Sequence, residues 1–423
     1  MNIIKYPERK DWQQILKRPY ADSKEVQSLV QRILDDVKAT GDSALNKYTK
    51  LYDGLELDNL LVKDEDWNAA DSIDAELKAA IQQAIKSITT FHSAQVEERK
   101  VIETFPGITC WRKSVGIERV GLYIPGGSAP LFSTLLMLAI PAVLAGCKEI
   151  IVCTPPDKQG NIHPAILYAA AQLGITGIYK AGGAQAIAAM AYGTHTIPNV
   201  YKIFGPGNQY ITAAKMLLCS QGFAIDMPAG PSEVAILADD SCIPEYVAAD
   251  LLSQAEHGPD SQVILVSNNE NVLTKVLACL DTQLAALGRK NIATAALNNS
   301  RMILVNDLAE GIELLNEYAP EHLIIACKDA ETIGEQVVNA GSVFLGNYAA
   351  EAGGDYATGT NHTLPTNGFA KAYSGVSVDS FVKKITFQKV TREGLAGIAG
   401  TVTTMAQAEG LDAHANAIIV RLK

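Results

Sequence analysis

Between about residues 119 and 345 the chain alternates short apolar runs with longer helical patterns, and this alternation narrows the fold more than any other feature. Candidate strands fall at 119–124, 149–153, 177–180, 201–204 and 224–226, with helical stretches near 131–145, 163–173, 184–192 and 208–220 between them. A second series places strands near 234–237, 262–266, 302–305, 323–326 and 342–345, separated by helices near 245–256, 269–287, 307–317 and 329–339. Neighbouring parallel strands need a crossover of a dozen or more residues, and a helix supplies it. The expected fold class is therefore α/β, with two doubly wound (Rossmann-like) parallel-sheet domains and small N- and C-terminal dimerisation segments.

The flanks follow other patterns. Residues 1–22 form an N-terminal arm. Val26, Leu29, Val30, Ile33, Leu34 and Val37 keep helical spacing over about 24–39, and Gly41 is a suitable stop. A second amphipathic helix is expected near 74–97. The expected division joins 23–118 with 234–375 as the metal and substrate side and leaves 119–233 as the cofactor side. After about 375 the alternation stops. The tail, 376–423, looks too small to bury a core of its own, so it is expected to dock elsewhere or on a second subunit.

Charge and thiols exclude several classes. The net charge of −11 argues against nucleic acid or an anionic membrane surface as partner. Seven widely spaced cysteines without a Cys-x-x-Cys read as reduced thiols of a cytoplasmic protein. The apolar stretch from Ala129 to Cys147 contains Pro130, Ser133, Thr134, Pro141 and Gly146, which favours a buried helix over a membrane span.

Four histidine segments concentrate chemistry. Gln254 and His257 are three apart near a helix end, so a carboxamide oxygen and an imidazole can face one metal ion, although a polar helix C-terminus is the blander reading. Glu321 and His322 precede a buried strand and can shuttle a proton; alone, they also suit an exposed turn. Asp355 and His362 lie in a segment, 347–366, that reads as a long polar loop at the carboxyl end of a strand. Glu409 and His414 lie in the tail, and can equally be surface residues. Glycine-rich turns at 121–127, 182–183, 205–207 and 228–231 offer backbone N–H groups to phosphates, but neither standard nucleotide fingerprint is present.

Taken together, the segments VGLYIPGGSAPLFSTLLMLAIPA, GGAQAIAA, KIFGPGN, AIDMPAGPSE, ADLLSQAEHGPDSQVIL, YAPEHLII, GSVFLGNY, GDYATGTNHTLPT and AEGLDAHANAIIVR resemble those of the histidinol dehydrogenases, in order, from about residue 25 to the C-terminus. The resemblance implies a zinc-dependent, four-electron oxidation of L-histidinol through L-histidinal to L-histidine, with two NAD+ reduced. It implies Gln254, His257, Asp355 and His414 as zinc ligands and Glu321 with His322 as the acid/base pair. Ser232, His362 and Glu409 would hold substrate along with the metal ligands and His322, and Tyr123, Gln185 and Asn208 would contact NAD. It also implies a homodimer in which His414 and Glu409 complete the partner's site. Three other readings compete: a thiol aldehyde dehydrogenase through Cys147 or Cys153, a zinc hydrolase, and a non-catalytic small-molecule binder.

Overall fold

The computed structural model describes residues 1–19, 24–126 and 130–423, so Gly127 of the first glycine-rich turn falls outside them. Both expected parallel sheets form. The first runs in the order Ile178–Lys180, Glu149–Thr154, Arg119–Tyr123, Lys202–Phe204, Ala224–Ile225, with every neighbouring pair parallel. The second runs Asn2–Lys5, Arg301–Leu304, Gln262–Ser267, Glu233–Ala238, His322–Ala326, Ser342–Leu345, again all parallel. Apart from the N-terminal edge strand, the two sheets share one winding order. In each, the first strand of its series sits centrally and the direction of winding reverses beside it.

Period-two alternation explains why both faces are covered. Val120, Leu122 and Ile124 face one core, with Ala139 and Leu167, while Tyr123 faces another with Ile187 and Ile211. In the second sheet Val234 and Ile236 point towards Leu251 and Leu273, and Ala235 and Leu237 towards Leu315 and Tyr318. The apolar stretch near 129–147 becomes the helix Phe132–Leu144, buried from Ser133 through Ala142. Among the described residues no helix is long and apolar enough to cross a membrane.

Three expectations need correction. First, the helices of 23–118 pack mainly on the first sheet, although His92 meets Asn361 of 234–375. The helices Lys24–Thr40, Asp42–Asp53 and Ala75–Ser93 place Val30, Leu34, Leu45, Ile81 and Ile88 in the two cores of the first sheet. Those apolar faces are the ones that cover its strands. The helix Asp42–Asp53 was not expected, because Gly41 (φ +56) ends one helix and starts the next. Second, the arm, expected as a separate segment, joins the second sheet: Asn2–Lys5 adds an edge strand, and Trp12 and Leu16 enter that sheet's core. Third, Val101–Phe105, Ile108–Gly116 and the tail strand Val382–Val390 form a three-stranded antiparallel sheet. The tail is rooted by Phe381, fully buried and stacked on Phe204 at 3.9 Å between ring centres, and ends in the helices Arg392–Ala408 and Asp412–Leu422.

Candidate active site

A cleft of about 330 Å³ runs between the two sheets. One wall comes from the carboxyl ends of the first sheet's central strands: Tyr123 and Pro125 on one side, and Pro206, Gly207 and Asn208 on the other. This is the winding reversal, where open α/β sheets present ligand crevices. The opposite wall comes from the amino ends of the second sheet's strands: Ser232 just before Glu233–Ala238, and Glu321 with His322 at the start of His322–Ala326. The expectation that the second sheet would use its carboxyl end is therefore corrected.

The segment expected as a polar loop is the second correction. Residues Glu351–Tyr356 form a short helix, and its i, i+4 spacing brings Glu351 and Asp355 to one face. Gly354 allows this: a Cβ there would lie 2.7 Å from the Phe344 ring, which itself neighbours the His322 ring at 6.0 Å. Glu351, which the sequence reading did not single out, is buried, and its Oε2 accepts from the Ser253 hydroxyl at 2.9 Å.

His322 is held through Nδ1, 3.1 Å from the Glu233 carbonyl and 3.5 Å from Glu321 Oε2. A carbonyl can only accept, so this contact puts a proton on Nδ1, which Gln254 Nε2 also approaches at 3.1 Å; Nε2 offers a lone pair for proton transfer only when the ring is neutral. Nε2 lies 3.9 Å from Glu351 Oε1. Burial disfavours the imidazolium, but Glu321, Glu351 and Asp355 outweigh burial and push the His322 pKa up to about 10. Asp355 is raised by burial and by Glu351. His362 differs: burial holds it down to about 4, so it is neutral. Its Nδ1 donates to the Asp355 carbonyl at 3.1 Å and its Nε2 accepts from Thr134 at 3.2 Å, tying the first sheet's long buried helix to the second sheet's site.

The donor set suits a divalent cation. His322, Glu351 and Asp355 have ligand atoms within 4.8 Å of one another. Gln254 Oε1 and Glu351 Oε1 are buried without a hydrogen-bond partner, an expensive state unless a cation compensates. Imidazole and oxygen donors fit zinc. Of the four expected ligands, Gln254, His257 and Asp355 all line the cleft. His414 and Glu409 are exposed on the tail and do not line it. Among the expected NAD contacts, Tyr123 and Asn208 line the cleft, while Gln185 is buried beside Gly183 at the start of its helix. The Tyr123 hydroxyl accepts from the Gly183 N–H at 3.2 Å, which links the two places.

Cys147 and Cys153 do not line the cleft, and burial raises both thiols, Cys147 to about 11. That environment is the opposite of what a nucleophilic thiolate needs. All seven cysteines are free.

A cleft at the winding reversal of one parallel sheet, facing a buried His–carboxylate cluster on another, marks a two-sheet α/β protein with a candidate active site between the sheets. Comparison with known proteins narrows this class. The family model described as histidinol dehydrogenase matches residues 16–422. The chain is 57% identical over 424 residues to a histidinol dehydrogenase of Bacteroides fragilis, covering 100% of this chain and 99% of the relative. It is 56% identical over 423 residues to the one of Bacteroides thetaiotaomicron, again covering 100% and 99%. The crystal structure of histidinol dehydrogenase from Elizabethkingia anophelis superposes with a TM-score of 0.97 at 53% identity, covering 100% of this chain and 98% of that one. The chain belongs to the histidinol dehydrogenase family, and is an oxidoreductase of histidine biosynthesis.

Proposed function

We propose that the protein oxidises L-histidinol to L-histidinal and then to L-histidine, with two NAD+ reduced per turnover and zinc in the site. The observation that carries this reading is His322: a buried imidazole with Nδ1 bonded to the Glu233 carbonyl, Nε2 free, and Glu321 adjacent. When bound, NAD+ would accept a hydride from the substrate carbon in each half-reaction, and zinc would anchor the substrate's amine and imidazole nitrogens while offsetting the carboxylates around His322. His322 takes the alcohol proton at Nε2 as the carbon loses its hydride. Glu321 then takes a proton from the water that adds to the aldehyde carbon; as the hydrated aldehyde loses the second hydride, His322, having released its first proton to solvent, takes the remaining hydroxyl proton and leaves the carboxylate. A site closed between two sheets keeps the aldehyde captive between the steps.

Gln254, His257 and Asp355 would hold the metal with the partner's His414. Ser232, His362 and the partner's Glu409 would orient substrate, and Tyr123, Gln185 and Asn208 would contact NAD+. The tail supports a homodimer: its two helices cover little of their own chain, and Met405, Leu411, Ile419 and Val420 are exposed on them. The free thiols suit a cytoplasmic enzyme.

The deciding experiment is stoichiometry. Two NADH per L-histidinol consumed, with histidine as product, is the expected result. One NADH with aldehyde released would refute the two-step reading, and no NADH would refute the reaction altogether, as a hydrolase or an idle binder would require.

A further inference from the structure

Beneath the catalytic pair lies an ion pair that has no part in the chemistry described above. The Glu233 carboxylate is buried, with a side chain 4% exposed, and it meets Arg18 of the N-terminal arm, whose side chain is 14% exposed. The contact is a fork: Arg18 Nε donates to Oε1, and Nη2 donates to Oε2 at 2.8 Å. The Asn367 N–H donates to Oε1 at 2.8 Å. The guanidinium lies 4.0 Å from the centre of the Tyr318 ring and donates to the Tyr318 carbonyl at 2.8 Å. Tyr318 in turn donates to Gln262 Oε1 at 2.9 Å, and Gln262 Nε2 donates to the Lys17 carbonyl at 3.1 Å. The loop of contacts therefore closes on the arm.

The backbone of Glu233 touches both members of the catalytic pair. Its N–H donates to Glu321 Oε2 at 2.8 Å, and its carbonyl receives His322 Nδ1 at 3.1 Å. Gln254 Nε2 also donates to that carbonyl, at 3.4 Å. The backbone N–H and carbonyl of this one residue thus hold both Glu321 and His322.

We propose that Arg18 and Glu233 are positioning residues: the arm's guanidinium fixes the Glu233 side chain, and so the backbone groups that aim Glu321 and His322. The inference rests on the proposed acid/base roles of those two residues. The arm becomes a built-in part of the site. Breaking the fork frees the Glu233 peptide to shift, and a displacement of about 1 Å in a catalytic group can cost about 100-fold in rate.

The test compares full-length Arg18→Met, Arg18→Lys, Glu233→Gln and the Arg18→Met/Glu233→Gln double variant, each with zinc content and folded fraction measured. Expected is a fall in kcat of about 10- to 100-fold for Arg18→Met. The KM for histidinol and for NAD+ should not change, Arg18→Lys should recover part of the rate, and the double variant should be no slower than the worse single one. Independently of turnover, the His322 imidazole signal in nitrogen–proton spectra, assigned by its loss in His322→Asn, should shift in Arg18→Met. Multiplicative losses in the double variant, activity falling only in step with folded fraction, or an unmoved His322 signal would each overturn the proposal. If wild-type protein forms no NADH from histidinol, the reaction reading fails; the imidazole shift still decides the positioning claim.

Discussion

The turn that forms the first sheet's wall of the cleft is clamped by a buried ion pair, and breaking it is a severe test of how the wall is built. Lys215 and Asp226 pair through Nζ and Oδ1, with side chains 3% and 1% exposed. Lys215 also donates to the Gly205 carbonyl at 2.9 Å, while Asp226 Oδ2 accepts from the Gly205 N–H at 2.8 Å and Oδ1 from the Met227 N–H at 2.7 Å. Gly205 has φ +131, and a Cβ there would lie 2.2 Å from the Tyr123 carbonyl, so the turn presses on the next strand end with no room to relax. Asp226→Asn keeps the shape and removes the charge. It leaves a buried ammonium with only neutral acceptors and turns one carboxylate oxygen into an NH2 that faces a backbone N–H, at a cost of about 3–5 kcal/mol. For a unit of this size that lowers the melting temperature by roughly 6–20 °C. Adding Lys215→Met removes the orphaned charge, and the double variant should regain most of the loss. Thermal and urea unfolding of the four chains of this cycle give the coupling, and the KM for NAD+ reports on the wall. Asp226→Asn within about 1 kcal/mol of wild type, or a double variant as unstable as the summed singles, would refute the clamp.

Three further outcomes follow from the site. His322→Asn should lower turnover by about 100- to 10,000-fold with zinc content retained, and near-normal rates would remove His322 from proton transfer. Inactive His414→Ala and His257→Ala chains, mixed and refolded, should regain partial activity if the tail completes the partner's site; verified heterodimers without activity count against that exchange. Asp250 is pushed up to about 7, by burial first and then by Glu351. An acid raised in the fold stays neutral there while the unfolded chain ionises near pH 4, so stability is lost as pH rises from about 4 to about 7 and is level above that. Asp250→Asn should therefore gain unfolding free energy over wild type as pH rises through that window in chelator-treated protein, by at most about 4 kcal/mol at pH 8. A difference independent of pH would show that Asp250 is not the group responsible.

The parallel sheets were legible because burial on both faces forces continuous apolar runs, and the crossovers between them carry helical spacing. Which helices cover which sheet was not legible. Val30 and Ile88 advertise an apolar face but carry no mark of the partner that buries it, and that partner is the first sheet. The antiparallel sheet was lost for a related reason. Its strands Ile108–Gly116 and Val382–Val390 pair across a separation of well over two hundred residues, and neither alone shows a strong alternation.

The site divides along the same line. His322, His257, Gln254 and Asp355 stood out by residue type and by their Gly and Pro neighbours, and all four line the cleft. Glu351 did not stand out, because Gly353 and Gly354 made its segment read as a loop, although Glu351 and Asp355 keep the i, i+4 spacing of a helix face. Here glycine serves close packing against Phe344 and not chain reversal, and residue type cannot separate those two uses. The consequence is electrostatic. Without Glu351, the cluster would be an imidazole between two carboxylates; with it, three carboxylates crowd one imidazole in a buried site. Such an arrangement is costly unless a cation joins it. The missed residue is thus the one whose burial makes the strongest physical case for the metal.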